Sequence, residues 1–149
     1  MEDMKVCEVQ VTYNNKIKAS QRPKLSTSRE VFELLLRMYD ENTIELKEYF
    51  KVILLNQSCR VLGVHNLSVG GIDGTYCDIR QVIQVALLSN ASAIIVSHNH
   101  PSGNIEPSVN DRKFTTQIKQ ACDIMNIRLI DHIIITRESY YSFTDECEL

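Results

Sequence analysis

Several features that would narrow the function are missing from these 149 residues. No Cys-x-x-C pair occurs. The five cysteines, Cys7, Cys59, Cys77, Cys122 and Cys147, are scattered and odd in number. That argues against a disulfide framework and against a thiolate zinc site, and it favours a reduced, cytoplasmic chain in which cysteine serves as a small hydrophobe. No long apolar run is present. The longest, such as Ala93–Val96 and Ile133–Ile135, are far short of the roughly 20 residues that span a bilayer. The N-terminus, MEDMKVCEVQ, has no basic segment followed by an apolar one, so a signal peptide is not expected. Positive charge is not in excess: the formal net charge is −3 and the pI about 5.8. The strong basic footprint of a duplex-binding protein is absent, although a local basic patch remains compatible with these values. Internal repeats and low-complexity segments are lacking as well.

What is present fits one domain of ordinary size: 44% of residues are hydrophobic and 23% charged, enough for a core and too little charge for disorder. Residues 5–13 alternate, with Cys7, Val9, Val11 and Tyr13 apolar and Glu8, Gln10 and Thr12 polar. That periodicity predicts a strand. A polar arm follows from Asn14 to Ser26. Thr27-Ser-Arg-Glu30 is a capping box opening a helix to about Tyr39. Residues 48–56 and 61–69 predict a hairpin around a turn at Asn56–Arg60. Gly70-Gly71 and Asp73-Gly74 punctuate the next loop. Asp78 can cap a helix to about Ser89. Residues 91–97 form a short apolar strand of the kind found at buried central positions. The segment 98–107, with three prolines and glycines at Pro101, Gly103 and Pro107, predicts a loop. Ser108 caps a helix to about Met125, residues 127–135 form a strand, and residues 140–143 are a candidate for another. The order is mixed, which implies an α/β domain with a mixed, curved sheet flanked by helices.

One stretch carries the chemistry: Ser97-His-Asn-His-Pro-Ser-Gly-Asn-Ile-Glu-Pro-Ser-Val-Asn-Asp111. His98 and His100 stand two apart after a buried strand, so in extended chain both imidazoles point to one side. Asp111 lies in the first turn of the next helix and faces back toward the loop. Two histidines and a carboxylate leave a fourth position open on tetrahedral zinc, the pattern of a catalytic rather than a structural site. Water held there becomes a nucleophile near neutral pH. The plainer alternatives are a His-x-His in a surface loop, and Ser108-x-x-Asp111 as a helix cap. Ser108 can do both: cap the helix and face the site.

The run His98-Asn-His100-Pro101, six residues, Ser108, two residues, Asp111 resembles the JAMM motif of the JAB/MPN metalloproteases, H-x-H-P-x₆-S-x₂-D. The wider text, "HNHPSGNIEPSVNDRKFT", "IRLIDHIII", "EYFKVILLN" and the helix at 79–90, resembles the RadC branch of that superfamily over about residues 26–146. The resemblance implies a JAB/MPN-like fold, related to that of the cytidine deaminases, in a single domain over 1–149 with residues 1–25 as an N-terminal strand and arm. It implies a metallohydrolase holding one Zn2+ through His98, His100 and Asp111 and cleaving a peptide or isopeptide amide. Glu48 matches the glutamate that takes a proton from the zinc-bound water, with Glu41 and Glu45 as neighbours that could fill the place. Ser108 matches the serine that helps hold the oxyanion. The substrate would be an unspecified protein or peptide. The oligomeric state is open, and no membrane partner is implied.

The chain departs from the branch in two places. Members often carry an N-terminal helix–hairpin–helix region associated with DNA, for which the residues before 26 leave no room, and Asn56 stands where Asp is frequent. DNA repair is thus implied by the family name alone. Asp131-His132 matches a recurring RadC pair; general expectation makes it a satisfied polar pair on a core strand, the alternative being a partner for a zinc-bound histidine. His65 has no partner nearby in sequence, and Cys122 and Asp123 lack ligand spacing. Three rivals remain. Zinc deaminases need a glutamate close after the first ligand and a P-C-x-x-C pair, and neither is present. A nuclease would call for two metals and more carboxylates. The third is a non-catalytic or DNA-repair-associated accessory module with a metal-binding MPN fold.

Overall fold

The computed structural model describes residues 4–70 and 77–149. Helix α1, Ser28–Met38, starts where the capping box predicts. Thr27 accepts from the Glu30 amide, and the Glu30 carboxylate reaches back to the Thr27 amide. Strands β1, Tyr49–Leu55, and β2, Val61–Val69, form the expected hairpin. Its turn is built by Asn56, whose side-chain oxygen accepts from the amides of Ser58 and Arg60. The predicted turn residues Gly71, Asp73 and Gly74 lie outside the described residues. Helix α2, Ile79–Leu88, is capped by Asp78. Strand β3 is Ala93–Asn99, helix α3 Val109–Ile124, strand β4 Arg128–Ile135 and strand β5 Tyr140–Ser142.

The five strands form one mixed sheet in the order β2-β1-β3-β4-β5. Only β3 and β4 are parallel, joined by the crossover helix α3. Alternation along the central strands sends side chains to two cores. Ile53, Leu55, Ile95 and Ile133 pack under α1. Phe50, Val52, Ile94 and Val96 pack under Val82 and Ala86 of α2 and Ile118 and Cys122 of α3. An α/β sandwich with helices on both faces of a mixed sheet is the architecture expected.

Two expectations are corrected. Residues 5–13 are not a strand here: among the described residues they have no ladder partner, and Val6 and Val9 are more than four-fifths exposed. Period-2 alternation makes a segment fit for a strand, but only a neighbouring edge makes it one. The second concerns the segment beginning at His98, which is not all loop. Strand β3 runs two residues further, because His98 and Asn99 pair with Ile134 and Ile135 of β4, and His98 also pairs with Phe50 of β1. His98 is therefore a fully enclosed core residue.

Candidate metal centre

Topology gathers the candidate residues at one end of the sheet. Strand β1 runs antiparallel to β3, so the start of β1 lies beside the end of β3, and Glu48 comes next to His98. Helix α3 leaves from the same end of β3 and brings Asp111 in its first turn. The carboxyl end of parallel strands is the usual place for a site in open α/β sheets. A cleft of about 490 Å³ opens there, walled by Glu48, Phe50, His98 and Asp111 on one side and Cys77 and Asp78 on another.

The i, i+2 argument holds: His98 Nε2 and His100 Nε2 stand 3.0 Å apart. Asp111 Oδ1 is 3.2 Å from His98 Nε2 and Asp111 Oδ2 is 3.6 Å from His100 Nε2. Glu48 Oε1 lies 3.9 Å from His98 Nε2. Glu48, His98 and His100 form a group that can hold a metal ion. Ser108 caps α3, accepting from the Asp111 amide at 3.1 Å, while its own amide and hydroxyl both donate to Asp111 Oδ2 at 2.7 and 2.8 Å. One carboxylate thus both closes the helix cap through Oδ2 and lies beside His98 through Oδ1.

The hydrogen bonds behind the histidines decide their tautomers. Thr115 Oγ1 has one proton and two neighbours: the Asp111 carbonyl at 2.7 Å and His132 Nδ1 at 2.6 Å. The carbonyl can only accept, so Thr115 donates to it and His132 Nδ1–H donates to Thr115. Burial holds the His132 pKa well below the ordinary histidine value, so the ring is neutral and its Nε2 is an acceptor. His98 Nδ1, 2.9 Å away, must then carry a hydrogen. The second ring nitrogen of His98, Nε2, faces the cleft and Asp111. His100 is fixed in the same sense, because its Nδ1 donates to the Asn104 carbonyl at 2.6 Å.

Two ring nitrogens and carboxylate oxygens therefore face one another, an arrangement that can accept a cation, as the Glu48, His98 and His100 group can. Burial alone would push the Asp111 carboxyl up, but contacts with His100 and His98 outweigh it and hold the group far below the usual carboxylate range. Burial lowers the His100 pKa, yet the hydrogen bonds to Asp111 and to the Asn104 carbonyl more than offset it and leave the value raised. The set of two imidazoles with a carboxylate suits zinc. Cys77 does not supply a rival nucleophile. Burial, followed by the charge of Asp78, pushes its thiol up to about 12.

Comparison with known proteins follows the geometry. A family model described as the RadC-like JAB domain matches residues 25–149. The chain belongs to the RadC-like JAB domain family. Among curated proteins, this RadC-like chain is 40% identical over 123 residues to a UPF0758 protein of Flavobacterium johnsoniae, covering 83% of this chain and 52% of the relative. It is 40% identical over 127 residues to a UPF0758 protein of Thermotoga maritima, covering 85% and 55% respectively. The RadC-like chain thus spans about half the length of the curated relatives it matches. Among its described residues no helix is long and apolar enough to cross a membrane.

Two residues that sequence reasoning undervalued stand behind this RadC-like site. His132 is more than a satisfied core histidine, since it holds the Nδ1–H of His98. Its neighbour Asp131 points to the opposite face, where it accepts from Ser142 Oγ at 2.5 Å and the Thr144 amide at 3.0 Å, and it is a structural anchor as expected. Asn99, between the two histidines, also faces away from them. Its amide donates to the carbonyls of Ile44 and Lys47 at 2.6 and 2.8 Å and its oxygen accepts from the Tyr49 amide at 2.7 Å. It ties the segment that carries Glu48 to β3. The alternation of β3, read two residues further to Asn99, would have revealed this division of labour. Glu45 makes an exposed ion pair with Arg137, and Glu41 is exposed, so neither lines the cleft wall that Glu48 forms.

Proposed function

We propose that this chain is a zinc-dependent hydrolase of the JAMM type that cleaves a peptide or isopeptide amide. The observation that carries the reading is the pair of Nε2 atoms, 3.0 Å apart, beside the Asp111 carboxylate. His98, His100 and Asp111 would hold one Zn2+ per chain. When bound, the ion supplies a Lewis acid that brings the pKa of a coordinated water toward 7 and polarises a carbonyl oxygen.

The chain's own groups account for the remaining work. Glu48 borders the cleft within reach of the histidines without being the nearer carboxylate, so it is free to accept a proton from the attacking water and pass it to the departing amine. Asn99 holds the backbone on both sides of Glu48, at Lys47 and Tyr49. Ser108 offers a neutral hydroxyl for a developing oxyanion. Its proton rests on Asp111 Oδ2, so that role requires the hydroxyl to rotate away from Asp111. Phe50 and Phe114, packed edge to face at 5.4 Å, give the cleft an apolar wall against which a substrate chain can lie.

Elemental analysis of protein purified without chelator tests the reading. About one equivalent of zinc is expected. His98→Ala and Asp111→Ala should lose it while keeping the parent's far-ultraviolet circular dichroism. Glu48→Gln should keep the metal and lose amide hydrolysis. A parent that takes up no zinc even when it is added back overturns the proposal. A parent that holds zinc but cleaves no peptide or isopeptide amide would favour a non-catalytic metal-binding module instead.

A further inference from the structure

Residues 7–13 alternate like a strand, yet residues 5–13 join no ladder among the described residues. Val6, Val9 and Val11 are 82%, 86% and 70% exposed. Scattered apolar residues on a surface need no explanation, but a run alternating over seven positions does. The root of this arm is firmly held. Asn15 Nδ2 donates to the Leu62 carbonyl at 2.7 Å, and the Ile17 amide donates to Asn15 Oδ1 at 2.9 Å. The Val61 amide donates to the Pro23 carbonyl, and Lys24 bridges to Arg60. The arm therefore departs from the first residues of β2.

Strand β2 is an edge of the sheet, and among the described residues its outer side pairs with no strand. An unpaired edge is a template for strand addition. Beside it runs a groove of about 260 Å³ between His65 and Leu67 of β2 and Gln81, Val85 and Leu88 of α2. Leu88 and its neighbour Leu87 are about half exposed. The groove shares no lining residue with the metal-centre cleft.

We propose that two copies of this chain form a dimer by exchanging arms. Residues 5–13 of one copy add as a strand to the outer edge of β2 of the other, with Val9 and Val11 over the groove. A second copy is the occupant that the structure favours. The alternating part of the arm, residues 7–13, and the part of β2 beyond the root contacts at Val61 and Leu62, residues 63–69, are each seven residues long. The arm's apolar side, Cys7, Val9, Val11 and Tyr13, carries no charge and suits the aliphatic groove floor. The arm of the same chain stands clear of its own edge. Reciprocal exchange also satisfies both arms and both edges at once, which closes the assembly at two. The arm lies outside the family-matched residues 25–149, so the dimer is an addition to the domain rather than part of it.

The test is sedimentation equilibrium of the full chain from about 1 to 100 µM, beside full-length Val9→Lys/Val11→Lys and Leu88→Lys variants. All of these side chains are half to fully exposed in one copy, so the variants should melt as the single folded chain does. The parent should be a dimer whose dissociation constant weakens at least about a hundredfold in both variants. Hydrogen exchange should show β2 amides protected in the parent and released in the variants. A parent that stays monomeric across the range overturns the proposal. So does a dimer indifferent to both variants, or a monomer whose arm and β2 amides are already protected, which would mean that the arm docks on its own edge.

Discussion

Replacing His132 by Phe tests the tautomer argument at its root. The ring sits on Phe143, 4.8 Å between centroids and nearly parallel, so a phenyl ring fills the same space. Thr115 keeps its bond to the Asp111 carbonyl. What disappears is the acceptor for His98 Nδ1–H. A buried donor left unpaired costs roughly 1–3 kcal/mol. His98 can escape that cost by moving its hydrogen to Nε2, but this removes the lone pair that the proposed zinc site needs. On that proposal either route lowers zinc affinity by about 10- to 100-fold, as is usual for the partner of a ligating histidine. Competition against a chromophoric chelator measures the affinity. Thermal unfolding of the metal-free protein checks that the core is intact. An unchanged zinc affinity in a well-folded His132→Phe protein would refute the claim that His132 fixes the ligand tautomer.

Two further outcomes are expected. Burial raises the Asp131 pKa above its ordinary value and outweighs the hydrogen bonds from Ser142 and Thr144, so the folded chain holds this proton more tightly than the unfolded one. Its contribution to stability is therefore full below about pH 4 and is lost as pH rises through the raised folded value. Urea unfolding of Asp131→Asn beside the parent should show the variant gaining ground between acid and neutral pH, and a pH-independent difference would contradict this. Asn99→Ala leaves two carbonyls and the Tyr49 amide without their partner, which should destabilise the chain by at least about 1–3 kcal/mol. The Tyr49 amide should also exchange faster with solvent, and unchanged protection would show that Asn99 does not hold the segment around Glu48.

The helix starts were legible because their signals are local. Thr27 with Glu30, and Ser108 with Asp111, form reciprocal caps within four residues, so three-dimensional context adds little. The His98–His100 geometry was legible for the same reason, as two side chains on one face of an extended chain. What escaped the sequence depends on neighbours far along the chain. His98 belongs to the strand because Phe50 and Ile134 flank it on both sides. Residues 5–13 carry the strand period but lack the neighbouring edge within their own chain. The meeting of His132 with His98 spans 34 positions and depends on the parallel register of β3 and β4, which no local pattern encodes.

The 3.2 Å contact of Asp111 with His98 and the bonds from His98 to His132, from His132 to Thr115 and from Thr115 back to the Asp111 carbonyl close a ring through β3, β4 and α3. Because Thr115 and Asp111 are one helical turn apart, this ring pins α3 at two points, and the helix can neither slide nor turn without opening it. The separation of His98 from Asp111 is thereby set by the sheet and the helix, whereas His100 also leans on the Asn104 carbonyl within the connection. A change in the connection away from Asn104 should then leave His98 and Asp111 where they are, so the two sides of the donor set differ in how far the loop controls them.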